Sequence, residues 1–124
     1  MSRDEYARRA DVICGRYYRL IATFGTPSGR SELARVADRT LHALDTAVGD
    51  LRGLRPPTSE QRLARRWLAS LSTLRGDVVK LRARARANDL AGIRRLVGPA
   101  QQHNRTSNRL AAQLGMTVCS KDAG

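Results

Sequence analysis

The side chains in this sequence best suited to bind a metal or transfer a proton are two histidines, His42 and His103, and aspartates and glutamates dispersed along the chain. A metal site needs at least three converging ligands. The Glu-x-x-His pair that holds iron in helical bundles does not occur. Nor does a Gly-x-Ser-x-Gly motif, a phosphate-binding loop or a dinucleotide fingerprint. We therefore predict no catalytic residue, no metal and no cofactor, and expect a protein that is not an enzyme.

The acidic residues are interspersed with arginines. None falls on the apolar stripe of any helix described below, so we expect them to face outward and pair with nearby arginines. The aspartates concerned are Asp11, Asp38, Asp45, Asp50 and Asp77.

The most unusual stretch is the polar run Gln101-Gln-His-Asn-Arg-Thr-Ser-Asn108. It places Asn104 and Ser107, with His103 beside them, where a helical stripe should be apolar. One interpretation is a small polar pocket between helices, which is the sole support for an enzyme. The alternative, which we favour at this point, is a buried polar layer that fixes helix register, or a helix rotated so that these residues meet water.

Positive charge dominates the composition, with 23 basic and 11 acidic side chains and a formal net charge of +12. Such a surface attracts phosphates, anionic lipid heads and acidic polymers, and salt weakens the attraction. The candidate anion-binding residues are Arg62, Arg65, Arg66, Arg82 and Arg86. The arginines wrap around the helices, however, and no nucleic-acid-binding motif accompanies them. A solvated arginine-rich face that reflects compositional bias is therefore an equal alternative.

Apolar residues spaced alternately three and four apart predict four helices, over about 2–24, 32–54, 59–87 and 90–114, with a tail over 115–124. We call the apolar stripe of each helix its seam. The seam of the first helix contains Tyr6, Ala10, Ile13, Tyr17, Leu20 and Phe24. The seam of the fourth contains Leu90, Ile93, Val97, Ala100, Asn104, Ser107, Ala111 and Leu114. Matched lengths and short connections predict one all-α domain, an antiparallel up-down-up-down four-helix bundle. The alternative is a helical hairpin that completes its core by dimerising.

The two cysteines lie near opposite ends of the chain. Cys14 is beside the first seam, and Cys119 follows the fourth helix by five residues. In an up-down-up-down bundle the fourth helix ends near the start of the first, so the tail can bring Cys119 back to Cys14. A disulfide closing about a hundred residues contributes up to roughly 4–5 kcal/mol. Two unrelated buried thiols are the alternative. No Cys-x-x-Cys spacing indicates catalysis.

Several segments resemble a family of uncharacterised small helical proteins, secreted or envelope-associated, of high-GC actinobacteria. They are Glu5-Tyr6, Arg9-Ala10-Asp11 with Cys14, the Leu-Arg-x-Leu-x-Pro-Pro run 51–57, Asn88-Asp89-Leu90, and the ending from Asn108-x-Leu110 through Leu114-Gly115 to Cys119. The resemblance covers most of the chain. It implies a helical bundle with a Cys14–Cys119 bridge, and typically a leader upstream. It supplies no catalytic residue.

Together these patterns predict a non-enzymatic, disulfide-clasped helical interaction or structural module with a basic surface. The expected partner is an anionic surface or another protein. A cytoplasmic nucleic-acid-binding protein is the alternative. We expect an extracytoplasmic or envelope location, although no signal segment opens this sequence, and no stretch is apolar enough to span a membrane. Because a surface this positive repels copies of itself, we expect a monomer.

Overall fold

The computed structural model describes residues 1–121, so the last three positions of the predicted tail, 122–124, lie outside the described residues. The described part contains four α-helices and no strand. They are α1 (Arg3–Ala22), α2 (Arg30–Arg52), α3 (Gln61–Arg86) and α4 (Leu90–Gln113), with a 3-10 turn at Thr58–Glu60 before α3. The predicted all-α, up-down-up-down four-helix bundle is confirmed.

Local sequence explains where the helices begin and end. The Ser2 hydroxyl accepts the Glu5 backbone N–H at 3.1 Å and caps α1, and Asp89 caps α4 in the same way by accepting the Gly92 N–H at 2.8 Å. Such caps satisfy backbone donors that have no partner within the helix. After α1, Gly25 adopts a φ of 74°, a left-handed conformation that glycine enters without steric cost.

The most completely buried core lies at one end of the bundle, which we call the clasp end. Here the start of α1 and the end of α4 meet the α2–α3 connection. The largest fully buried side chains are Trp67, Tyr6, Leu114 and Met116. Smaller neighbours complete this cluster, namely Ala7, Ala10, Cys14, Leu51, Ala64, Leu110, Ala111 and Cys119. Their burial from water supplies most of the stabilisation that the fold requires.

The opposite end, which we call the open end, departs from the predicted core. Close packing joins α1 to α2, α2 to α3 and α3 to α4, but α1 and α4 do not pack closely along the described chain. Leu20 is consequently 47% exposed, Leu90 43% and Val97 51%. All three are seam residues that we expected to pack against a partner helix, and that expectation was wrong, because α1 and α4 do not pack closely here.

Candidate functional site

A disulfide joins Cys14 on α1 to Cys119 in the tail, with a Cα–Cα distance of 5.3 Å across 105 residues of sequence. The predicted bridge is confirmed. The bridge ties the chain after α4 back to α1. These two helices do not pack closely on each other in the described structure. In the chain-entropy account, closing a loop of this length stabilises the fold by up to about 5 kcal/mol.

Asp11 holds the same tail through its carboxylate. One oxygen accepts the backbone N–H groups of Val118 and Cys119, at 2.9 and 3.0 Å. The other accepts the N–H of Thr117 at 2.9 Å and its hydroxyl at 3.2 Å. The prediction that Asp11 pairs with an arginine was wrong, because the returning tail presents three backbone donors to it. Its position one turn before Cys14 was the signal in the sequence.

A cavity of about 360 Å³ lies between the helices, beside the disulfide. All four helices and the tail contribute to its wall. Both cysteines of the disulfide and the rings of Tyr17 and Tyr18 line the cavity. The rest of the apolar wall consists of Leu44, Ala47, Val48, Leu51, Trp67, Leu71, Leu74, Val78 and Ala100. Because α1 and α4 do not pack closely on each other, the cavity is not fully enclosed.

The polar part of the cavity wall comes mainly from one face of α4, where Gln101, Asn104, Ser107 and Asn108 recur at helical spacing. Ser107 is almost completely buried and Asn104 is half-buried. The polar run therefore faces the cavity through Asn104 and Ser107. His103, the third residue of the predicted polar layer, is not among the described lining residues.

Asp77 on α3 is the single charged residue among the described lining residues. Its Oδ2 lies 2.8 Å from His103 Nδ1, and its side chain is 13% exposed. We had expected Asp77 to pair with an arginine, and that expectation was wrong, because α4 places an imidazole against it. The pair links α3 to α4 at the edge of the cavity.

Burial also changes the acidity of the aromatic residues nearby. It raises the pKa of Tyr17 to about 12, and the neighbouring Tyr18 adds to the shift. The two rings lie 5.7 Å apart, centre to centre. Tyr17 is thus an uncharged phenol at any physiological pH. The Trp67 indole N–H is buried and has no hydrogen-bond partner among the described residues.

The five candidate anion-binding arginines separate into two groups on α3. Arg82 Nη1 lies 2.7 Å from Asp38 Oδ1, and Arg86 Nη2 lies 3.9 Å from the same oxygen. Arg62, Arg65 and Arg66 are exposed and form no ion pair within residues 1–121. About 24 Å of helix separates Arg66 from Arg82, at 1.5 Å per residue. The structure therefore does not bring the five together.

Two of the other aspartates do pair with arginines, Asp38 with Arg82 and Asp45 with Arg75, but both pairs join α2 to α3 and neither follows the spacing within one helix on which the prediction rested. Arg75 Nε lies 2.6 Å from Asp45 Oδ1, and its guanidinium holds the pKa of that carboxyl below its usual range. Neither histidine belongs to a metal-like cluster, because no group of three or more His, Cys, Asp or Glu side chains is placed to hold an ion in the described part. No helix there is long and apolar enough to cross a bilayer.

The fold and these contacts define the chain as a disulfide-clasped four-helix bundle with a partly open cavity between its helices, one wall of which is polar. No protein family, curated protein or solved structure matches it. The cavity and the surface are therefore the features from which a function can be argued.

Proposed function

We propose that this chain is a non-enzymatic binding module that holds a small, largely apolar ligand between its helices. The observation that carries the proposal is the cavity of about 360 Å³ with one polar wall. Ligand pockets in proteins commonly measure about 300–1,000 Å³, and apolar walls with a few polar groups are typical of them. Apolar contact supplies affinity, and the polar groups orient the ligand.

The cavity is a partly open cleft whose wall is mostly apolar, so a bound apolar ligand would remove that wall from water. The disulfide and the Asp11 contacts keep the tail on α1 beside the cavity, and both bridged cysteines belong to its wall. The proposed role of the clasp is to hold α1 in place where α4 does not pack against it.

The arrangement of polar groups supports binding over catalysis. Ser107 lies one helical turn after His103, whose Nδ1 meets Asp77 at 2.8 Å. A serine nucleophile, however, needs a hydrogen bond to its base. No such bond joins Ser107 to His103 in the described chain, and His103 is not among the lining residues given above. We therefore keep the proposal of a protein that is not an enzyme.

The test uses Trp67, the single tryptophan in the sequence, as a reporter in the cavity wall. We expect titration with the neutral dye N-phenylnaphthylamine to give saturable, one-to-one binding and quenching of Trp67 fluorescence. Ala100→Phe should abolish binding because it fills the cavity. Ala112→Phe is the matched control, since Ala112 is an exposed alanine of α4 outside the cavity. The proposal fails if no saturable binding occurs, or if both variants bind like the parent protein.

A second candidate function is attachment to anionic surfaces, which is favoured by Arg62, Arg65 and Arg66, all exposed and without an ion pair to any of residues 1–121. Nucleic acid in the cytoplasm is the alternative target. The double variant Arg62→Gln/Arg66→Gln should weaken binding to anionic vesicles or duplex DNA at low salt more than Arg82→Gln/Arg86→Gln does. The two variants are matched in helix and in charge. Equal losses would indicate attraction to net charge alone.

An extracytoplasmic location remains part of the proposal. Disulfides persist in oxidising compartments and are rare in the cytosol, and the Cys14–Cys119 bridge supports that assignment. The resemblance to secreted and envelope-associated helical proteins implies the same compartment. Fractionation of the producing cell, followed by detection of the oxidised chain, would test it.

A further inference from the structure

We infer that the cavity selects an uncharged amphiphile, a molecule with an apolar body and a single hydroxyl or amide group, and rejects carboxylate and ammonium amphiphiles of the same size. This inference rests on the proposed function, because it names the ligand class for the same cavity. It runs against the expectation from net charge, since a protein of +12 should attract anionic lipids first.

The charges of the wall argue against an anionic ligand. Among the described residues lining the cavity there is no arginine, lysine or histidine. A carboxylate that entered would lose its water without gaining a cation, which is strongly unfavourable. The arginines that make the protein basic are elsewhere.

A cationic ligand is disfavoured for a different reason. The one acidic residue described in the wall, Asp77, already contacts His103 through Oδ2 at 2.8 Å. Its side chain is 13% exposed, so little of the carboxylate faces the cavity or solvent. The net charge of +12 adds a long-range repulsion against any ammonium group that approaches.

The polar wall suits a group that both donates and accepts hydrogen bonds. Gln101 carries an amide with two donors and an acceptor oxygen, and Ser107 adds a hydroxyl. A hydroxyl or amide on the ligand has the same mixed character. Across the cavity, α2 and α3 present only apolar residues apart from Asp77 in the described wall. The ligand's polar group therefore faces α4, and its apolar body faces α2 and α3.

The exposed apolar residues of the open end indicate where a longer ligand would extend. Leu20 follows the lining residue Tyr17 by one turn of α1, and Val97 precedes Gln101 by one turn of α4. These two helices do not pack closely in the described structure. Leu20, however, lies against Ala43 and Thr46 of α2 in a separate groove, whereas Val97 continues the α4 face of the cavity, so a chain longer than the cavity extends along Val97.

Three probes with one chain length separate the possibilities: decanol, decanoate and decylammonium, each kept below its aggregation threshold. Trp67 fluorescence and calorimetry would follow binding at neutral pH and two salt concentrations. We expect decanol to bind at least roughly tenfold more tightly than either ion, because it alone enters without an unpaired charge. Its affinity should not fall with salt, whereas decanoate held by surface arginines should be released.

A single charge placed in the wall gives the sharper test. Gln101→Lys should raise decanoate affinity by up to roughly tenfold and lower that of decylammonium, because position 101 is exposed at the mouth of the cavity and the new ammonium would lie there. Gln102→Lys is the matched control. It adds the same charge one residue away, on an exposed position outside the cavity, and should leave the decanol preference unchanged.

These experiments separate a cavity that binds no ligand from a cavity that binds ligands without selecting neutral ones. If no probe binds and N-phenylnaphthylamine does not bind either, the cavity is not a ligand site and both fail. If decanoate or decylammonium binds as tightly as decanol in a manner that Ala100→Phe abolishes, the cavity is a ligand site but its selection of neutral amphiphiles is overturned. Equal responses to Gln101→Lys and Gln102→Lys would also overturn that selection.

Discussion

The carboxylate of Asp11 accepts the backbone N–H of Cys119 at 3.0 Å, and one helical turn later Cys14 is bonded to the Cys119 side chain. A single stretch of α1 therefore holds the tail twice, once by charge-assisted hydrogen bonds and once covalently. Hydrogen bonds to an ionised carboxylate are stronger than those between neutral groups.

Removal of the disulfide should lower the free energy of unfolding by up to about 4–5 kcal/mol, because the unfolded chain regains the entropy of a long loop. Urea unfolding of oxidised and reduced protein measures the difference. Cys14→Ser/Cys119→Ser should match the reduced protein. Oxidised protein, once unfolded, should show no reactive thiol, and two reactive thiols would contradict the bridge.

Asp11→Ala should cost about 2 kcal/mol of stability, because three backbone N–H groups of the tail lose their acceptor. It should also speed reduction of the disulfide by dithiothreitol. Asp4→Ala is the control, an exposed aspartate on the first turn of the same helix. Equal reduction rates in the two variants would show that Asp11 does not hold the tail.

Stability should fall as the pH rises from 10, the ordinary pKa of a tyrosine phenol, towards about 12, the pKa of Tyr17 in the folded protein. Below pH 10 both states carry the proton and the contribution is complete. Above pH 10 the phenol ionises in the unfolded chain but not in the folded protein, so the free energy of unfolding falls by about 1 kcal/mol per pH unit. Burial raises the pKa of Tyr6 as well, which adds to the trend.

Urea unfolding near pH 9 and near pH 11 measures this effect, with ultraviolet titration of the tyrosines as a direct readout. Tyr17→Phe should reduce the fall of stability with rising pH and leave only the contribution of Tyr6. An unchanged slope in Tyr17→Phe would mean that Tyr17 titrates normally.

Alanine substitutions at two glycines should change the stability of the protein in opposite directions. Gly76 lies within α3, with open space where a Cβ would be, so Gly76→Ala should stabilise the protein by up to about 1 kcal/mol. A Cβ at Gly92 would meet the Asp89 carboxylate and Arg84 Cδ. Gly92→Ala should therefore displace the cap of α4 and cost about 1 kcal/mol. Thermal unfolding compares the two, and a gain in both would contradict the cap assignment.

Much of the secondary structure follows from local chemistry. Seam spacing predicted the four helices because an apolar face repeats with the helical period whatever it packs against. Ser2 and Asp89 begin their helices with side chains that reach backbone donors three residues on, a relationship contained in a few consecutive residues. The disulfide followed from topology, because an up-down-up-down order brings the two ends of the chain together.

The tertiary structure decided what lies between the helices. A seam indicates that Leu20 and Val97 are on an apolar face, but only the spacing of α1 from α4 exposes them. The same spacing creates the cavity and turns Asn104 and Ser107 towards it. Asp11 and Arg82 found partners on segments distant in sequence. Periodicity records the direction in which a side chain points, whereas the site depends on the distance to another part of the chain, which no local pattern encodes.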